Sequence, residues 1–496
     1  MYPSNNSLAL DKTVILSGAG SSRSQLAAES KHPYKLISAL NRIKAFSQTK
    51  AALLVLLFAA IATTASAQNA IALKGGKLLT VTHGTIENGV IVMQGDKITA
   101  VGPAGSVSIP SNAQVVDATG MTIYPGLIDS ETQLGLTEIS AEQMTNDLVE
   151  LSDEIMPHMH VYDAFHAESA LIPVARLNGI TNAIVAPESQ DTIPGQDSFI
   201  QLAGRDANEM LMARDIAMPV NFTGDQRRNK GGFDKRRFPS TRMGLIAQMR
   251  QAFLDAKDYE AKWSEYERKK SEAGNSADDK GKPAEKGKEK EKEKKSPPMA
   301  PKRDLKLEAL IPYLEGKKTV VLAAEDPSDL ETIVNFANEF HLKYVLNHIS
   351  HSQPVLDYVA SLHVPVIVGP IYEAPKEDER YDAVYSLPAQ LYKRGVKIVF
   401  ATYNAHNVRN LPDAAGFATA FGLPYDEAIK AVTLNAAEIW GVADKLGSLD
   451  VGKTANVVMA NGDPLDVKTD VKQVYIEGKA IPMTSRQTVL RDEYSK

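Results

Sequence analysis

Residues 318–348 read KTVVLAAEDPSDLETIVNFANEFHLKYVLNH. An apolar run (Val320, Val321, Leu322) gives way to Asp326-Pro327, where proline suits the first turn of a helix. Ile333, Phe336, Ala337 and Phe340 then recur at helical spacing, and a second apolar run, YVLN, follows at once. Strand, helix and strand in this order predict a parallel βαβ unit, and strands this apolar belong to a sheet covered on both faces. The alternation extends in both directions: GITNAIVAP (179–187) lies before it, and PVLDYVASL, VPVIVGP, YSLPAQLYKRG and VKIVFATY lie after it. The region 125–446 therefore predicts an α/β fold of the β/α-barrel kind, for which about 250 residues is usual. An open doubly wound sheet is the alternative, and no glycine-rich phosphate loop follows any of these strands.

The two ends of the chain read differently from its middle. GVIVMQGDKITAVG (89–102) alternates apolar and polar residues on either side of Gly95-Asp96, a hairpin signal, and VVDATGMTIYPGLID (115–129) continues in the same manner. NVVMANGDPLD and VKQVYIEGKAI repeat strand, turn, strand near the C-terminus. Residues 68–124 and 447–482 together predict one small β-sandwich built from both chain ends. Within the barrel region, AKDYEAKWSEYERKK from residue 256 can extend a helix. Residues 264–303, running into DDKGKPAEKGKEKEKEKKSPPMAPKR, predict a disordered charged insertion, because interleaved Lys and Glu with Gly and Pro bury no core.

Composition narrows the partners. With 55 Lys and Arg against 61 Asp and Glu, the net charge of −6 gives no field suited to nucleic acid. The absence of cysteine excludes disulfides, thiolate metal sites and cysteine nucleophiles. Lys44 and Lys50 precede an apolar run at 51–61 that is short for a bilayer span, and Ala65-Ser66-Ala67 offers small residues for a signal peptidase. Residues 1–67 are thus expected to be an N-terminal extension and signal peptide. A periplasmic or secreted chain from Gln68 follows, with no stable membrane span after cleavage.

GLID after a β-rich start, the α/β middle, and the tail GVADKLGSLDVGKTANVVMANGDPL (441–465) together resemble the amidohydrolase superfamily, in particular its imidazolonepropionase-like branch. HNVRNLPDAAGFATAFGLPYDEAIKAVTLNAAEIWGV (406–442) is similar to that family's last barrel loop and helices, and Asn456 stands in a usual Asp place. The resemblance implies a distorted (β/α)8 TIM-like barrel joined to the composite β-sandwich, and metal-assisted hydrolysis of C–N bonds in amides or cyclic amides. In such sites His-x-His at a strand tip aims two imidazoles into the barrel mouth, since residues i and i+2 share a face. The metal then lowers the pKa of its bound water.

At the positions this resemblance singles out, the chain departs from the family. The first strand, YPGLIDSETQLGL (124–136), carries Glu131 and Gln133 in place of the two histidines. Ala323 stands where relatives often carry a ligand, His348 matches a family histidine, and Tyr403 takes the place of the last-strand Asp. A single imidazole and one carboxylate leave most of a coordination shell to water. No cofactor is expected, and a divalent metal such as zinc enters only if His348 and Glu131 form an altered site. His158 and His160 form an H-x-H that opens after Pro157, with His166 beyond it, and they read as loop residues. His348 and His351 are one helical turn apart in spacing but sit at a strand end. Gln196, His406 and Arg409 are candidate pocket residues, and Asp129 is a structural hydrogen-bond acceptor. No Gly-x-Ser-x-Gly elbow is present, Ser130 has no evident His partner, and Glu131 with Glu138 is a weak candidate carboxylate pair.

Two functions follow from this reading. One is a degenerate, catalytically impaired barrel acting as a binding or partner subunit, as a homo-oligomer or with an active homologue. The other is an active hydrolase of C–N bonds with an altered metal site.

Overall fold

Strands from the two ends of the chain pair in one sheet. Its N-terminal members are β1 (Ile71–Leu79), β2 (Thr85–Gln94), β3 (Lys97–Pro103), β4 (Gln114–Asp117) and β5 (Thr122–Pro125). The computed structural model describes residues 70–150, 152–222, 239, 241–278 and 298–495. The β2–β3 hairpin turns at Gly95-Asp96, where Gly95 supplies a φ of 61°. After the middle of the chain come β14 (Val457–Ala460), β15 (Val471–Ile476) and β16 (Lys479–Ala480), giving the order β16-β15-β14-β5-β1-β2-β3, with β4 on β1. Antiparallel pairing of Tyr124 with Val458 joins the two ends. The expected composite unit is therefore one hydrogen-bonded network carrying two buried apolar clusters, around Leu73 and Ile91 and around Ala72 and Val90.

The second sheet holds β6 (Leu127–Thr132), β7 (Ile180–Val185), β8 (Asp197–Gln201), β9 (Leu211–Asn221), β10 (Thr319–Ala323), β11 (Tyr344–Asn347), β12 (Val366–Val368) and β13 (Ile398–Phe400). They neighbour one another in sequence order. All pairings are parallel except those of β8 with β7 and β9, which distorts the barrel. Closure comes just past β13, where the Thr402 and Tyr403 amides donate to the Glu131 carbonyl at 3.2 and 2.9 Å. Each strand contributes one inward side chain to a single cluster: Ile128, Ile184, Phe199, Ala217, Val321, Val345, Ile367 and Val399. This filled interior is why the strands read as unbroken apolar runs. Trp440, Ala436 and Leu446, in and after the closing helices, pack on the same cluster.

Outside the barrel, α1 (Arg242–Asp278) packs on α2 (Leu305–Leu314) and on α3 (Pro327–Glu339). Phe253 of α1 sets its ring 5.2 Å from those of Phe336 and Phe340. The helix α1 corrects one expectation. It continues through residues 264–278, where lack of structure was predicted, and pairs such as Lys269–Glu265 and Arg268–Glu272 lie one turn apart on it. Residues 279–297 lie outside the described residues, as do residues 1–67, where a signal peptide is expected. Among the described residues no helix is long and apolar enough to cross a membrane.

Asn456 bridges the sheet and the barrel. Its amide nitrogen donates to Asn182 Oδ1 at 2.9 Å, and its oxygen accepts from the Glu477 amide at 2.9 Å. An aspartate has no N–H to offer Asn182, which gives this amide a physical reason.

Candidate functional site

The carboxyl ends of β6, β11 and β13 meet where the barrel closes, and three side chains form a continuous chain there. Asn347 Nδ2 donates to Glu131 Oε2 at 2.6 Å, and Tyr403 Oη donates to Asn347 Oδ1 at 2.6 Å. Asn347 Oδ1 also accepts from the His348 amide at 2.9 Å. Asn347 points inward because it lies two residues beyond the inward-facing Val345. His348 and Tyr403 both leave their strands in left-handed backbone, at φ 54° and 55°. Such conformations cost non-glycine residues roughly 1–2 kcal/mol. The two rings lie 4.5 Å apart, and His348 Nε2 lies 3.8 Å from Glu131 Oε1. That nitrogen is buried and has no hydrogen-bond partner.

Two further carboxyls lie deeper. Asp129 accepts from Thr402 through its amide at 3.1 Å and its hydroxyl at 2.5 Å. Burial pushes its carboxyl up to about 7, against the opposing pull of the Thr402 hydrogen bonds. Asp197 opens β8 and shares the face of Phe199, so it turns into the barrel. It is 1% exposed, and neither carboxylate oxygen finds a partner. Burial, with the charge of Glu131, raises its pKa well above the usual carboxylate range. The Tyr403 phenol is likewise pushed far up, by burial first and then by Glu131, Asp129 and Glu373, and stays a neutral donor.

The positions that the resemblance singles out carry the following groups. Ala323 ends β10 buried and offers only a methyl group, while Gln133 is half-buried past the end of β6. Tyr403 spends its hydroxyl on Asn347, and one Glu131 oxygen is taken by the same amide. Glu131 and His348 alone remain as a pair of donors. Among the described residues no group of three His, Asp or Glu converges in a way that could hold a metal ion.

The other candidates are placed elsewhere. Gln196 is buried against α2, held by the Pro157 carbonyl at 2.9 Å, the Tyr313 hydroxyl at 2.7 Å and Lys318 at 3.4 Å. It therefore does not face the barrel interior, because the inward register of β8 belongs to Asp197. His406 is exposed, with Nε2 3.1 Å from the Glu138 carbonyl, and Arg409 is exposed on the same loop. His160 pairs with Asp215 at 2.6 Å and His166 with Asp147 at 3.1 Å. His158 Nδ1 is buried without a partner. His351 turns away from His348 to Glu379, at 2.8 Å, and to Glu373, at 3.9 Å, so the two histidines form no joint site. Sequence reasoning missed Asn347 and Asp197. The signal for Asn347 was the alternation in YVLN, and for Asp197 it was an acid opening an otherwise strand-like DSFIQ.

The sequence model of the amidohydrolase family matches residues 362–481. A crystal structure of an amidohydrolase from Thermotoga maritima MSB8 is similar with a TM-score of 0.70 and 26% identity, covering 84% of this chain and all of that one. Amidohydrolase tasK of Hapsidospora irregularis is 25% identical over 409 residues, which are 80% of this chain. The chain spans 39% of the length of that relative. A second amidohydrolase crystal structure, at 17% identity and a TM-score of 0.51, shares the fold, with 83% of this chain and 99% of that one covered.

Proposed function

We propose that this chain, which belongs to the amidohydrolase superfamily, does not carry out metal-assisted hydrolysis and serves as a binding or partner subunit. The observation that carries this reading is the Glu131–Asn347–Tyr403 chain, in which two positions that the resemblance makes metal-holding, Glu131 and Tyr403, are both tied up by the Asn347 amide. Metal affinity depends on ligand number and geometry together, and two donors supply neither. The wording of residues 441–465 favours the imidazolonepropionase-like branch. Secretion belongs to the same proposal, supported by the apolar run 51–61 and Ala65-Ser66-Ala67.

A second reading draws on one distance. The 3.8 Å between His348 Nε2 and Glu131 Oε1 favours an altered metal site in an active C–N hydrolase. Elemental analysis of the purified full chain, dialysed against metal-free buffer, separates the two. The binding reading requires substoichiometric metal, no stabilisation by added zinc, and no turnover of acyl-amino acids or cyclic amides. Stoichiometric metal that is lost in His348→Ala, together with amide hydrolysis, would establish the second reading instead.

A further inference from the structure

The inward register of the barrel strands continues below the core. Val321, Val345, Ile367 and Val399 face the interior. Thr319, Lys343, Pro365 and Lys397, each two positions earlier, share that face at the opposite end of the barrel from Glu131. All four line one cavity of 440 Å³, a volume within the range of small-molecule sites. Lys343 and Lys397 continue the strand ladder there: their carbonyls accept from the Val320 and Val366 amides at 2.8 and 2.9 Å. Glu438 and Ile439, at the end of the closing helix Leu434–Ile439, form a further wall.

The charges in this cavity do not cancel. Lys397 Nζ donates to Glu438 Oε2 at 2.5 Å. Among the described residues Lys343 takes part in no ion pair, and the exposed His363 adds no negative charge. Lys343, Lys397 and Glu438 therefore leave one net positive charge. Capping of helix ends does not account for it. The helices Leu356–Ser361 and Ala383–Lys393 finish beside the cavity, but the carbonyls of Ala360, Leu391 and Tyr392 are already taken by the His363, Val396 and Gly395 amides. The remaining wall is apolar, formed by Val345, Val364, Pro365, Val396 and Ile439. A phosphate group is a poor match, because its charge of about −1.5 to −2 exceeds the single unmatched cation and faces Glu438. A carboxylate brings one charge, and an apolar body attached to it removes the apolar walls from water.

We infer that this cavity binds a monocarboxylate with a small apolar body, the carboxylate accepting from Lys343 and the body lying against Val345, Val364 and Ile439. It is a second site, and it does not depend on whether the Glu131 end is inert. The strand-start end of a β/α barrel ordinarily serves stability rather than catalysis, so the role is binding.

The test is calorimetric titration of the full chain with sodium hexanoate, beside hexanamide, at matched ionic strength. Hexanoate should bind saturably, and hexanamide should not. Lys343→Met removes the charge and keeps an apolar chain, and should weaken hexanoate binding at least about fivefold. Glu438→Gln leaves Lys397 unmatched and should tighten it about threefold, a change of opposite sign that a purely structural role does not produce. Both side chains are exposed, and circular dichroism confirms that the variants fold. No saturable hexanoate binding, equal binding of hexanamide, or unchanged affinity in both folded variants overturns the inference. Binding that survives Lys343→Met and is lost in His348→Ala overturns it as well, because it places the ligand at the other end of the barrel.

Discussion

Asn347 Nδ2 sits 2.6 Å from Glu131 Oε2, so the amide at the end of β11 satisfies one oxygen of the carboxylate at the end of β6. Asn347→Asp removes the only N–H in this contact and sets a second carboxylate against the first. We expect a loss of about 1–3 kcal/mol at pH 8, the cost of a buried acceptor left without its donor. A carboxyl pair has a raised folded pKa, so the loss shrinks as the pH falls and one proton is shared. Urea midpoints at pH 5 and pH 8 read this directly. A variant as stable as the parent at pH 8 would show that the amide does not hold this end together.

Asp129 predicts a pH dependence of opposite sign to the usual carboxylate. Its pKa rises from 3.8 to about 7 on folding, so the folded state binds the proton more tightly. Its contribution is neutral below the unfolded value, turns destabilising as the pH climbs from about 4, and levels off above about 7. Each tenfold difference in proton affinity between the folded and unfolded chain corresponds to roughly 1.4 kcal/mol. The stability of Asp129→Asn minus that of the parent should therefore rise across this window in denaturant titrations. A difference that is flat from pH 4 to pH 8 would mean Asp129 stays ionised.

Phe199 is the largest side chain among the eight inward residues of the barrel, and it is fully buried. Phe199→Ala leaves a cavity that the surrounding strands cannot close, and a loss of about 3–5 kcal/mol is expected. The drop in denaturant midpoint measures it. A loss below about 1 kcal/mol would place the ring at a position able to collapse.

The alternation of apolar strands and amphipathic helices was legible because burial on both faces leaves a strong local pattern. α3 buries Ile333, Phe336 and Ala337, the residues whose spacing predicted it. The site was legible only in part. His348 and Glu131 lie together, but strand alternation alone does not carry His348 there: its ring enters through a left-handed backbone turn. Tyr403 does the same from β13. The inward role of Asn347 was masked by the histidine beside it, and Gln196 was read as pocket-facing because the register of β8 depends on its antiparallel insertion. Local sequence does not encode that insertion.

Pairing of β5 with β14 joins residues roughly 330 positions apart in the chain. During synthesis β5 therefore waits, with one edge unpaired, until roughly 330 further residues have been made. Contacts of such long sequence separation slow folding, and an open apolar edge invites intermolecular pairing in the meantime. Truncation anywhere before Val457 should consequently yield aggregation-prone material rather than a smaller folded barrel, and a fusion at the C-terminal end would report on completion of the fold itself.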